Sequence, residues 1–235
     1  IRVDHALTEL NAQVQIDRCV LGGADTLCSG IKRTAAGSIS TFSNALQNIG
    51  GIETRGLDLT FNFQTKMLPF GRLRAFWLTS WMLDYWEKIP TANGEQKVKL
   101  EGRVSGTPER AFPQLKSNLV LEWMFDQIGV SLTTRYVHGV AEECRDLQGI
   151  PNTCSNPSVD KNVVSENKLS PVVYNDLRLV WLPRFDERLT ITAGVNNIFN
   201  VDPPACYSCA LNGFNPATYD IPGVYGYLRA GYQIQ

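Results

Sequence analysis

Between Gly56 and Tyr85 the chain alternates apolar and polar residues in two arms joined by a short break. In the first arm Leu57, Leu59, Phe61 and Phe63 share one face, and Asp58, Thr60, Asn62 and Gln64 share the other. A strict period of two is the signature of a β-strand with two unlike faces. The break from Lys66 to Gly71 holds one Pro and one Gly and suits a hairpin turn. In the second arm Leu73, Ala75, Trp77, Trp81, Leu83 and Tyr85 oppose Arg72, Arg74, Ser80 and Asp84. The same alternation returns five times. Leu115, Leu119, Leu121 and Trp123 oppose Lys116, Asn118 and Glu122; Val130, Leu132 and Tyr136 oppose Ser131, Thr133 and Arg135. Val173, Leu177, Leu179 and Trp181 oppose Asp176 and Arg178; Leu189, Ile191, Ala193 and Val195 oppose Thr190, Thr192 and Asn196. Val224, Leu228, Ala230, Tyr232 and Ile234 oppose Tyr225, Tyr227, Arg229 and Gln233. With Ile1 to His5 read as the tail of another strand, the pattern predicts eight strands.

The segments between strands are of two kinds. Those at 66–71, 125–127 and 183–187 are tight. The insertion at 6–47 and the loops at 87–112, 139–170 and 197–222 are long and polar. Within the insertion, Leu7, Leu10, Val14 and Ile16 suggest a short amphipathic helix over Leu7 to Arg18, and 31–44 suggests a hairpin turning near Gly37. Long and short connections alternate, as they do between the two ends of an outer-membrane barrel. The apolar phase of the strand bodies holds no Asp, Glu, Lys or Arg, whereas Asp58, Arg72, Arg74, Asp84, Lys116, Glu122, Asp176, Arg178 and Arg229 lie on the opposite phase. Lipid enforces that purity, because an Arg or Lys facing the bilayer midplane costs roughly 2–4 kcal/mol. Aromatic residues collect at both strand ends: Phe63, Trp123, Trp181 and Tyr232 near the short turns, and Trp81, Tyr85 and Tyr136 towards the long loops. These are positions for two interfacial girdles. The fold class is therefore all-β, a transmembrane antiparallel β-barrel with long extracellular loops. A soluble β-sandwich also alternates, but gives no reason for sorting loops and aromatics by strand end. Eight strands close alone only as a narrow, side-chain-filled barrel, so they either do that or join further strands upstream.

Composition removes some classes. The 235 residues carry a formal net charge of −1, which gives no electrostatic case for nucleic acid as a partner. No run approaches the roughly 18 apolar residues of a membrane-spanning helix, while a spanning strand needs only about 9–11 alternating residues. The chain opens mid-pattern at Ile1 without Met, as a fragment or processed product would. Its six cysteines fall in three close pairs in turn-rich segments: Cys19 with Cys28, Cys144 with Cys154, and Cys206 with Cys209. That arrangement predicts disulfides formed in an oxidising compartment. A metal site on the Cys206/Cys209 spacing would need further ligands, and only His5 and His138 are on offer, so no metal and no cofactor is expected. The sharpest catalytic candidate, His138 with Glu142 or Glu143, has no nucleophile at a supporting spacing; no catalytic residue is assigned.

Three stretches carry a family resemblance: Asn48-Ile-Gly-Gly-Ile-Glu-Thr-Arg-Gly-Leu-Asp-Leu59; Leu189 to Pro204 with Val195-Asn-Asn-Ile-Phe-Asn200 at its centre; and Tyr219-Asp-Ile-Pro-Gly-Val-Tyr-Gly-Tyr-Leu-Arg-Ala-Gly-Tyr232. They resemble the barrel of TonB-dependent outer-membrane receptors, and the likeness runs through essentially the whole chain. It implies that 1–235 is the C-terminal part of a barrel of about 22 strands, whose plug and TonB box lie outside this sequence. Members of that family end on an aromatic residue, so Phe, Tyr or Trp is expected at position 236.

The resemblance also implies active import of a scarce nutrient, such as a ferric siderophore, cobalamin or a glycan, in the outer membrane of a Gram-negative bacterium. Partners would be outer-membrane lipid, TonB acting through the plug, the ligand, and an outer-membrane lipoprotein. The loops would capture ligand, with Trp86, Arg145, Tyr207, Phe214 and Tyr219 as candidate contacts. Loop disulfides would limit the entropy lost on binding. The competing readings are a stand-alone small barrel acting as an enzyme, and an adhesin.

Overall fold

The computed structural model describes residues 1–4, 7–8, 12–20, 28–43, 47–48, 50–91, 94–106, 109–160, 163–209 and 213–234. His5 and Gln235 lie outside the described residues. Eight strands form one antiparallel sheet in chain order: β1 (Arg2–Asp4), β2 (Gly51–Gln64), β3 (Arg72–Thr91), β4 (Leu115–Phe125), β5 (Ile128–Val137), β6 (Val172–Trp181), β7 (Leu189–Asn196) and β8 (Tyr225–Tyr232). These are the eight strands that alternation predicts. The sheet does not close within this chain; β1 and β8 are its ends, and a ninth strand, Gly94–Lys99, pairs with the far part of β3.

The chain divides into two compact units, Ile1–Arg55 with Leu83–Glu101, and Gly56–Met82 with Gly102–Gln235; β2 and β3 run through both. In the first unit a hairpin joins Ile31–Arg33 to Ile39–Phe42, with Gly37 at φ 87° in its turn, as expected. The helix is shorter and later than its pattern suggests: α1 spans Ala12–Val20, because Leu7–Thr8 pairs as a strand with Gln47–Asn48. Residues 87–112 are also more ordered than a loop. β3 continues to Thr91, Gly94–Lys99 folds back on it, and Val104–Gly106 pairs with Glu109–Ala111. The Asn-Gly dipeptide at 93–94 is a hairpin signal in its own right. Likewise the connection at 139–170 contains the pair Val140–Glu143 and Glu166–Leu169.

In the second unit the register sorts residues by face. One row of directly opposed residues reads Ala75, Leu121, Leu132, Leu177 and Val195, and another reads Leu73, Trp123, Val130, Leu179, Ala193 and Leu228. The row between them reads Arg74, Glu122, Ser131, Arg178, Gly194 and Tyr227. A second row on that same face reads Arg72, Met124, Gly129, Val180, Thr192 and Arg229, with its charges at the two ends. The apolar face has no cover. Leu57 is 61% exposed and Leu228 77%, and Phe61, Trp81, Leu121 and Leu177 are exposed as well. Burial is concentrated where the long connections meet, in the cluster of Val137, Val172, Tyr174 and Tyr219 and the cluster of Val140, Leu169, Cys206 and Cys209. A soluble sandwich would bury its strand bodies and expose its loops; this sheet does the reverse.

The tight turns gather at one end. Thr65 and Leu73 close the first hairpin, and Gly71, at φ 113°, sits so close to the Met124 carbonyl and the Phe125 side chain that a Cβ has no room. Aromatic residues ring this end. Trp123 stacks on Phe125 at 6.2 Å and donates its indole N–H to the Phe70 carbonyl at 2.8 Å; Trp181 meets Phe185 edge-on at 6.1 Å. The Arg188 guanidinium lies 5.0 Å from the Tyr232 ring centre. In the turns themselves, Arg184 holds the Asp126 carboxyl below its ordinary range by hydrogen bonding, and Arg188 does the same to Asp186.

Candidate functional site at the long-connection end

All three cysteine pairs are disulfides, with Cα–Cα distances of 5.0 Å (Cys19–Cys28), 5.5 Å (Cys144–Cys154) and 5.3 Å (Cys206–Cys209). The last bond removes the thiolates that a metal site would need. Glu142, on the Val140–Glu143 strand, ties the 139–170 connection to the Cys206–Cys209 disulfide loop. Its side chain is fully buried. Oε1 accepts the Asn167 amide at 2.6 Å and the Tyr207 backbone N–H at 3.0 Å, and Oε2 accepts the Ser208 N–H at 2.6 Å. The disulfide bends the Cys206–Cys209 segment so that successive N–H groups converge on one carboxylate, an arrangement suited to a buried anion.

A second network lies at the head of β5 and β6. Arg135 makes a two-pronged contact with Asp220 at 3.1 and 2.6 Å, and its Nε donates to Asp176 at 3.2 Å. Asp176 also accepts the Asn197 N–H at 2.8 Å, and Asn197 closes a turn onto Val201 through both ends of its amide. The guanidinium rests 5.2 Å from the ring centre of Tyr174. Arg135 thereby anchors the 197–222 connection to the sheet. The buried hydroxyls of Tyr174 and Tyr219 have no hydrogen-bond partner among the described residues. Burial pushes the Tyr219 phenol up to about 12.

The predicted ligand contacts fall in different settings. Tyr207 is exposed beside the Glu142 nest, and Phe214 is half-buried. Arg145 donates to the Val163 carbonyl at 2.6 Å and lies 4.0 Å from Glu143. Tyr219 is only 2% exposed, packed on Tyr174, Val137 and Val172, so here it is a core residue. Trp86 belongs to the other unit, where Lys97 and Lys99 lie 4.9 and 5.7 Å from its ring centre. Among the described residues, no hydrogen bond or ring stacking joins Arg145, Tyr207, Phe214 and Tyr219 to one another. His138 bonds the Tyr136 hydroxyl through Nδ1 at 2.8 Å, Glu142 is committed to the nest, and Glu143 is exposed 4.0 Å from Arg145. Sequence reasoning gave no site role to Arg135, Asp220, Lys97 or Lys99; only the Lys-x-Lys spacing beside an Asn-Gly turn could have pointed to the lysines over Trp86.

No protein-family model matches the chain, and no curated protein matches it in sequence. Its architecture does match solved structures. The FrpB iron transporter of Neisseria meningitidis (F5-1 variant, apoprotein) superposes with a TM-score of 0.52 at 18% identity, over 80% of this chain and 25% of that one. The outer-membrane transporter YddB of Escherichia coli gives 0.54 at 16% identity, over 86% of this chain and 28% of that one. At such identities the likeness establishes fold: the chain is a run of antiparallel wall strands like those of outer-membrane transporter barrels. The resemblance to TonB-dependent receptors holds at that level. The chain spans about a quarter of the length of those transporters.

Proposed function

We propose that the chain is wall and long loops of an outer-membrane active transporter, the C-terminal part of its barrel, taking up a scarce nutrient such as a ferric siderophore, cobalamin or a glycan. The uncovered apolar face supports the reading most directly: rows such as Ala75, Leu121, Leu132, Leu177 and Val195 are continuous across strands, free of charge and turned away from any core. Lipid around that face makes the arrangement favourable. The connections at 139–170 and 197–222, tied by Arg135 and Glu142, carry Tyr207, Phe214 and Arg145 as proposed contacts; Trp86 is a proposed contact within the other unit. A plug driven by TonB, and a surface lipoprotein, are the partners this reading brings with it.

The deciding measurement is the intact mass of the native polypeptide, extracted from membranes without reduction. A mass several-fold above 26.2 kDa, together with loss of uptake when its gene is deleted, is the expected result. A native mass of 26.2 kDa would overturn the transporter reading and leave a small barrel closing alone.

A further inference from the structure

We propose that the polar face of the sheet carries an oxyanion-binding site between β6, β7 and β8, formed by Arg178, Arg229, Thr190, Thr192 and Tyr227, and suited to a solute bearing carboxylate or phosphate groups. These side chains, with Gly231, line one cleft. Register brings them there: Arg178 is opposite Gly194, which is opposite Tyr227, and Thr192 is opposite Arg229. The cleft therefore presents two guanidiniums and three hydroxyls, and no carboxylate lines it. Among the described residues the side chains of Arg229, Thr190, Thr192 and Tyr227 have no hydrogen-bond or ionic partner.

Two features preorganise it. Arg178 is held from the other side by Glu122 at 3.3 Å, which fixes one guanidinium while leaving donors free. Tyr227 lies flat over Gly194, close enough that any Cβ there would collide with its ring. The adjoining cleft, lined by Arg72, Arg74, Glu122 and Arg178, shows the chemistry already satisfied: the Glu122 carboxylate sits between Arg74 at 3.4 Å and Arg178 at 3.3 Å. The β6–β8 cleft repeats the donors without the acid. A planar guanidinium fork matches carboxylate and phosphate oxygens alike. The site requires only that water reaches the polar face, so it stands or falls apart from the transport reading.

The test uses the full-length native protein in uncharged detergent micelles, in a zwitterionic buffer free of phosphate and carboxylate. Citrate and inorganic phosphate are titrated separately by calorimetry, with glycerol as a neutral control. Saturable binding of at least one anion is expected. Arg229→Gln should weaken it about ten-fold or more, Thr192→Val should weaken it less, and Arg72→Gln, at an arginine outside the cleft with no ionic partner among the described residues, should leave it within about two-fold. Binding of citrate alone assigns carboxylate recognition, and of phosphate alone phosphoryl recognition; both together assign the shared oxyanion. No saturable binding, or equal losses with Arg229→Gln and Arg72→Gln, overturns the proposal. Retained heat-modifiable migration on gels certifies that each variant is folded.

Discussion

Leu121 and Val120 are chain neighbours on opposite faces, and arginine at each should have opposite consequences. Leu121 lies in the apolar row between Ala75 and Leu132, well inside β4. An arginine there would face hydrocarbon, at a cost of roughly 2–4 kcal/mol, less if its depth is off the midplane. That is a factor of roughly 30 to 1,000 in the folding equilibrium. Val120 lies opposite Phe76 and Thr133, and Thr133 is opposite Asp176. An arginine there gains Glu122 and Asp176 as lining neighbours in the same cleft, so the change should stay within about 0.5 kcal/mol. Guanidinium unfolding of full-length protein in zwitterionic vesicles, followed by tryptophan fluorescence, measures both. Leu121→Trp separates lipid from a protein core. Lipid accommodates the larger ring at little cost, whereas a packed core would lose about 1–3 kcal/mol. Equal damage from Leu121→Arg and Val120→Arg, or severe damage from Leu121→Trp, would refute the assignment of faces.

Glu142→Ala should leave the Asn167 amide and the Tyr207 and Ser208 N–H groups buried without an acceptor, a loss of about 3 kcal/mol; amide exchange at Tyr207 and Ser208 should quicken about a hundredfold. Gly194→Ala should displace the Tyr227 ring at a cost of about 1–3 kcal/mol, and Tyr227→Ala should relieve most of it in a double-mutant cycle; additive effects would show that the ring does not rest on Gly194. Tyr219→Phe removes a buried hydroxyl without a partner among the described residues, so stability at neutral pH should not fall. Because burial raises the phenol to about 12, the folded state holds this proton more tightly than the unfolded chain, whose phenol loses it near 10. The phenol therefore leaves stability unchanged below about pH 10, where both states hold the proton, and lowers it between about pH 10 and 12 as the unfolded chain ionises first. Difference absorbance at 295 nm between the parent and Tyr219→Phe should place that ionisation last among the tyrosines; a midpoint near 10 would contradict the packing.

What the sequence determined by itself is local. Each wall strand was legible because a two-residue period needs only neighbours in the chain, and the charge-free phase from Leu57 to Phe63 already separated the two faces. The three disulfides were legible for the same reason, joining cysteines 9, 10 and 3 positions apart. The helix start was not, because Leu7 is taken by a strand formed with distant Gln47–Asn48. Nor could residue type reveal that Tyr219 is core while Tyr207 is surface, although both are loop tyrosines. The tied connections and the cleft depend on partners far apart in sequence: Arg135 meets Asp220 across 85 positions, and Glu142 meets Ser208 across 66. Arg178, Thr192 and Arg229 share a cleft only because three strands pair in one register. A slip of a single residue between them would send each side chain to the other face. Periodicity fixes which residues can share a face, and only the tertiary pairing decides which of them meet.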